Sequence, residues 1–295
     1  MGTVITTVNM KGGVGKTTLT VNLATCLAKN HNKRVLVLDL DTQISATLSL
    51  MSPQEFAKVR RERRTLGRLI YKAIKPSSRS RLNIEDIIQP YICEIKGLDL
   101  LPGDIELYDE YLVSEMLHYQ TIKEKKQEFG DIWNDFEKSL IKGILEPIID
   151  QYDFIILDCA PGYNLLTRSG IVASDYYLLP ARPEPLSIVG IQLLERRIGQ
   201  LKESHQQGNP LNLELLGIVF ILSGGLIGRY YKQVMKRVTG DFMPNQLFET
   251  RIPMDVNVAK AVDSFKPVVI TTPNSPGARA FLKLTQEVVN RLNSN

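Results

Sequence analysis

An α/β fold, built on a doubly wound and mostly parallel sheet with helices on both faces, is what this sequence predicts. Three observations carry the prediction. Short apolar runs rich in β-branched residues alternate with amphipathic helical stretches. Several of those runs are continuous rather than alternating, as strands buried on both faces are. The first run passes through a glycine-rich turn directly into a helical pattern.

The predicted strands, in order, are Val4–Val8, Val35–Leu38, Leu98–Leu101, Phe154–Leu157, Tyr176–Pro180, Gly217–Ile221 and Val268–Ile270. Helical patterns fall between them. Thr17–Lys29 carries apolar residues at 19, 23, 24, 27 and 28, and Leu186–Glu203 and Arg279–Leu292 follow the same spacing. Alternation of this kind implies right-handed strand–helix–strand crossovers. No repeat and no Pro/Gly/Ser-rich linker divides the chain. Residues 1–295 therefore read as one domain, with helix-rich polar elaborations at about 52–96 and 113–150.

Composition narrows the function. The chain has 295 residues, 43% hydrophobic and 23% charged, enough to bury a large core. No apolar run reaches the roughly 20 residues that span a bilayer, and no secretory leader pattern opens the chain. The three cysteines, Cys26, Cys93 and Cys159, are isolated, which argues for reduced thiols in a cytoplasmic compartment. The net charge of +4 is uneven, because residues 58–81 hold ten Lys or Arg against the single acid Glu62. Such a patch reads either as a footprint for a polyanion or as a solvated basic helix.

The chemistry gathers at strand ends. "VITTVNMKGGVGKTT" (4–18) is a strand, a glycine loop and a helix start, the context of a phosphate-binding loop. Backbone N–H groups of Gly12, Gly13, Val14 and Gly15 and the helix N-terminus would surround phosphate oxygens. Lys16 would meet the outer phosphates, Thr17 would ligate Mg²⁺, and Thr18 would bond an inner phosphate. The usual first glycine of such a loop would fall on Met10, and a second lysine, Lys11, stands at the loop entrance. "RVLVLDLDTQ" (34–43) ends in Asp39 and Asp41, which share a face if both lie on the strand. "YDFIILDCAPG" (152–162) is an apolar run ending in Asp158 and looks like a Walker B strand, in which the carboxylate holds Mg²⁺ through water.

Together these motifs resemble the ParA/MinD superfamily of deviant Walker A ATPases. "KGGVGKTT" is similar to its signature loop, "DLDTQ" to its DxDPQ motif with Thr42 in place of proline, and "CAPG" to its CPPS turn. "GLDLLPGDIEL" (97–107), "SGIVASDYYLLPARPEPLSIVGIQLL" (169–194) and "ETRIPMDVNVAKAVDSFKPVV" (249–269) resemble later family segments, so the match covers most of the chain. The resemblance implies ATP and Mg²⁺ as cofactors, and a slow ATPase. It implies that Lys11 reaches the phosphates of a partner subunit in an ATP-bound sandwich dimer, like an arginine finger. Asp41 would polarise the attacking water, Asp39 and Asp158 would support the metal with Thr17, and Ile252, Pro253 and Met254 would cup the adenine.

Within the superfamily the ParA branch fits best. The C-terminal stretch lacks the basic face with aromatic anchors expected of a MinD-type interfacial helix, so no membrane partner is implied. The cysteines do not match the iron-protein branch, and the loop occurs once, unlike in the arsenical pump branch. No helix-turn-helix precedes the loop. The short ParA type, which includes the carboxysome-positioning McdA proteins, implies non-specific binding to nucleoid DNA. It also implies a ParB- or McdB-like adaptor that stimulates hydrolysis, and a plasmid, chromosome or protein cargo. The DNA contact would fall on "GRYYKQVMKRV" (228–238), through Arg229, Lys232, Lys236 and Arg237, or on residues 58–81. The alternative is a membrane-surface ATPase of the MinD kind.

Overall fold

The computed structural model describes residues 2–75, 83–124, 128–206, 210–221, 233, 236, 240 and 242–294. Six parallel strands form one sheet in the order β3-β2-β4-β1-β5-β6. They are β1 (Thr3–Thr7), β2 (Val35–Asp39), β3 (Leu98–Leu101), β4 (Phe154–Asp158), β5 (Tyr176–Ala181) and β6 (Glu214–Phe220).

Side chains of each strand alternate between two apolar layers, which explains the continuous runs. Val4, Leu36, Leu38, Ile155, Leu157, Tyr177 and Leu179 face one layer. Ile5, Val35, Val37, Ile156, Leu178 and Val219 face the other. The helices α1 (Lys16–His31), α2 (Ser45–Leu48), α3 (Pro53–Arg61), α4 (Leu66–Ile74), α5 (Glu110–Glu124), α6 (Phe129–Leu145), α7 (Leu165–Val172) and α8 (Pro185–Ser204) follow in order. α4, α6, α7 and α8 cover the first face, while α1 and the C-terminal helix Pro276–Ser294 cover the second. The C-terminal helix buries Phe281, Leu284 and Val288 in that second layer.

Two sequence expectations change. Val268–Ile270 is not a strand: Val268–Thr271 is a short helix, started by Pro267 at φ −59°. Val268 and Val269 are buried there, and the Val269 N–H donates to Asn22 Oδ1 on α1 at 3.3 Å. Burial against α1 overrides the β preference of three branched residues. Asp41 also lies beyond β2, which ends at Asp39, so the two carboxylates do not share a strand face.

Register sets the geometry of the site. β4 lies between β1 and β2, and Thr7 and Asp39 are both register partners of Asp158. Three strand ends carrying polar side chains are therefore level at the carboxyl edge of the sheet, where open α/β sheets bind ligands.

Candidate functional site

The loop after β1 is shaped by glycine. Gly13 (φ 71°) and Gly15 (φ 91°) both adopt left-handed backbone. A Cβ at Gly15 would lie 3.0 Å from Ile221 Cγ2. Gly15 also precedes α1 without a side-chain cap, so the N–H groups of the first turn have no side-chain acceptor from that position. An anion is the natural acceptor there.

The two lysines of the loop lie in different surroundings. Lys16 is 6% exposed, with Nζ 3.1 Å from the Lys11 carbonyl. Burial lowers its pKa, opposed chiefly by the charge of Asp158. Lys11 instead points outward, 45% exposed, and its Nζ pairs with Glu184 Oε2 at 2.7 Å. Its backbone is set by Asn9, whose Oδ1 accepts from Lys11 N and whose Nδ2 donates to the Pro180 carbonyl.

Three carboxylates surround the loop, each with a different role. Asp158 is fully buried and accepts from Thr17 Oγ1 at 2.7 Å and Thr20 Oγ1 at 3.0 Å. Asp39 is also fully buried, and both its oxygens are occupied: Oδ1 by Asp41 N at 3.1 Å, Oδ2 by Thr47 N and Oγ1 at 2.8 Å each. It organises the loop into α2. Asp41 is 8% exposed and lines the cavity described below. Burial, reinforced by the neighbouring carboxylate, pushes Asp158 up to about 7. Burial pushes Asp39 up to about 6, against the hydrogen bonds from Thr47 and Asp41. Two desolvated carboxylates in adjacent register, beside a threonine hydroxyl, suit a hard divalent cation that neutralises them. Among the described residues no cluster of three His, Cys, Asp or Glu forms a closed metal cage.

A cavity of about 600 Å³ opens on the loop. Gly13, Gly15, Lys16, Thr17, Thr18 and Asp41 form its polar end. Its apolar wall is Leu48, Ile221, Ile252, Val258, Val262 and Phe265. Its size and polarity match a nucleotide-sized ligand, phosphates at one end and a base at the other. Ile252 lines the cavity and its backbone bridges to Ile221, but Pro253 and Met254 are off the wall, and Met254 is 64% exposed. Backbone strain collects here as well: Ile44 (φ 49°) and Phe265 (φ 52°) are left-handed without being glycine.

Sequence reading missed Thr20, Thr47, Ile221, Val258, Val262 and Phe265. Thr20 had a signal, standing three residues after Thr17 on the same helix face. Val258 and Val262 had one too, four apart on the helix Val256–Asp263. Ile221 and Phe265 had none.

The candidate DNA residues Arg229, Lys232 and Arg237 lie outside the described residues, and Lys236 is helical and exposed. In the other basic stretch, Arg79 and Arg81 also lie outside. Arg60 faces Asp104 at 3.6 Å and Glu106 at 3.5 Å, and Arg64 donates to the Asp86 carbonyl and Glu62. Part of that charge is therefore spent within the chain.

Residues 2–211 match a family model described as an AAA domain. The chain is 30% identical over 290 residues to the sporulation initiation inhibitor protein Soj of Bacillus subtilis, covering 98% of each. It belongs to the ParA branch of the ParA/MinD superfamily. The fold of this ParA-family chain is shared by cobyrinic acid a,c-diamide synthase of Mycobacterium smegmatis, solved with an ATP analogue and magnesium (TM-score 0.72, 22% identity, 100% of this chain and 96% of that one). It is shared by apo McdA of Cyanothece (TM-score 0.67, 18% identity, 98% and 100%). Among the described residues no helix of this ParA-family protein is long and apolar enough to cross a membrane.

Proposed function

We propose that this chain, acting as one P-loop domain, is a ParA-type ATPase. It closes into an ATP-dependent dimer, binds DNA without sequence preference and, with an adaptor that stimulates hydrolysis, positions a cargo. The observation that carries the reading is the division of labour between the two lysines. Lys16 is buried against the loop it serves, whereas Lys11 stands on the rim with its charge directed away from its own cavity.

ATP and Mg²⁺ are the cofactors that the geometry and the family favour. Gly13, Gly15 and the first turn of α1 bind the phosphates, Lys16 neutralises the outer ones, and the apolar wall holds the base. Thr17 and Asp158 would hold the metal, with Asp39, the register partner of Asp158, supporting that carboxylate's side of the site. Mg²⁺ would supply charge neutralisation on the phosphates and a fixed orientation for them. Asp41, the carboxylate nearest the cavity, accepts the hydrogen bond that aligns the attacking water. Lys11 leaves Glu184 to reach the phosphates of a second copy across the dimer. Hydrolysis in one copy alone should be slow, because its alignment is incomplete.

Arg229, Lys232, Lys236 and Arg237, or residues 58–81, would contact DNA phosphates, giving a cytoplasmic, nucleoid-associated protein. The C-terminal helix spends its apolar face on the core beside α1, which disfavours a MinD-like membrane reading. The test is fluorescence anisotropy of a labelled random duplex, titrated with protein plus ATP, ADP or no nucleotide at stated salt. Binding confined to ATP, blind to sequence and collapsing as salt rises supports the proposal. ATP occupancy without DNA binding, and pelleting with anionic vesicles instead, would replace it with the membrane reading.

A further inference from the structure

The turn "CAPGYN" after β4 is fixed from two sides. On one side it touches the phosphate loop: Gly162 N donates to the Met10 carbonyl at 3.1 Å, and the Pro161 ring lies 3.7 Å from where a Gly12 Cβ would be. Gly162 has φ 99°, so the turn is tight. On the other side Tyr163 leads away from the site. Its hydroxyl donates to the Arg197 carbonyl on α8 at 3.0 Å, and its own carbonyl accepts from Arg168 Nη1 at 3.3 Å.

Arg168, on α7, is the centre of this second set. Its Nε donates to Glu137 Oε2 on α6 at 2.5 Å, and Glu137 is 2% exposed. The guanidinium lies over the rings of Trp133 and Tyr163, 5.9 and 5.7 Å from their centroids. His205, at the end of α8, brings Nε2 to 4.0 Å from the other Glu137 oxygen. A buried ion pair of this kind rarely stabilises a fold more than apolar residues of the same shape would. Its distinctive product is geometry: a forked guanidinium fixed by a carboxylate holds one carbonyl in one place.

We infer that Arg168, locked onto Glu137, is a positioning residue for hydrolysis, holding the Pro161–Gly162–Tyr163 turn against the phosphate loop and tying that turn to α6. The inference rests on the ATPase reading of the site. Arg168 touches no nucleotide. It acts through Tyr163, two residues from the proline that packs on Gly12, and misplacement by about 1 Å near reacting atoms costs about a hundredfold in rate.

The test uses the full chain with Mg²⁺ and ATP. Arg168→Lys keeps a cation for Glu137 but not the fork. The double variant Glu137→Gln/Arg168→Gln removes both charges, so that neither is left buried alone. Both should lower kcat by about tenfold or more, with nucleotide KM within about twofold and thermal midpoint near that of the wild type. Trp133 is the only tryptophan in the chain, so its fluorescence reports on this cluster directly. Emission should change when Mg²⁺–ATP binds the wild type, and the change should be lost in Arg168→Lys. Unchanged kcat in folded variants overturns the inference. So does a loss of kcat that only tracks lost affinity or stability, or a Trp133 signal blind to bound nucleotide. A wild type that binds no ATP would remove the ATPase reading itself, and this inference with it.

Discussion

Lys11→Ala separates the monomer from the proposed dimer. In the monomer, Lys11 loses one pair with Glu184, with the two side chains 45% and 38% exposed. Exposed pairs contribute about 0–1 kcal/mol, so the thermal midpoint should barely move. Lys16, Thr17 and the left-handed glycines are untouched, so ATP affinity of the monomer should hold. In a sandwich dimer the same substitution removes two symmetric contacts to phosphate. At about 1.5–3 kcal/mol for each hydrogen bond to a charged group, the loss is about 3–6 kcal/mol. With 1.4 kcal/mol per tenfold, the dimer dissociation constant should rise by about 10²–10⁴. Sedimentation velocity over a concentration series, with a non-hydrolysable ATP analogue and Mg²⁺, reads this directly. A dissociation constant within about threefold of wild type would refute the trans role of Lys11 and the reading built on it.

Asp41→Ala should leave ATP binding intact and trap the ATP-bound dimer, with phosphate release falling to background; wild-type turnover would remove Asp41 from the chemistry. Gly15→Ala should cost about 1–2 kcal/mol from its left-handed backbone, and more nucleotide affinity than that, because the new Cβ meets Ile221; calorimetric titration with ADP decides. Val262→Asp should weaken nucleotide binding with little change in stability, since Val262 is 54% exposed yet lines the cavity; unchanged affinity would move the base elsewhere. Asp39 and Asp158, raised to about 6 and about 7, hold protons in the folded state that the unfolded chain has released. Stability of the metal-free protein should therefore fall as pH rises from about 4 to about 7, whereas Asp153 and Asp255, held below their usual range, act only below that window. Thermal melts in EDTA that stay flat or rise across it would show that the two carboxylates are not desolvated as described.

Much of the site was legible in the sequence because its parts are local. A glycine loop between a strand and a helix, and an aspartate ending an apolar run, announce themselves through neighbours a few residues away. That is enough to place Lys11, Lys16, Thr17, Asp41 and Asp158, and to predict the layered fold. Other features required the folded chain. Asp39 and Asp158 become neighbours only because β4 enters the sheet between β1 and β2, a choice of strand order that no local pattern encodes. Whether Val268–Thr271 becomes helix or strand was decided by Pro267 and by burial against α1, not by its branched side chains. The apolar wall brings Ile221, Val258, Val262 and Phe265 together from separate elements, and the Arg168–Glu137 pair joins α7 to α6, a helix that the sequence marks only as part of a polar elaboration. Backbone propensity and short-range spacing act within a few residues of the chain. Desolvation, ion pairing and packing act across space, and only the tertiary structure says which residues are close enough to feel them.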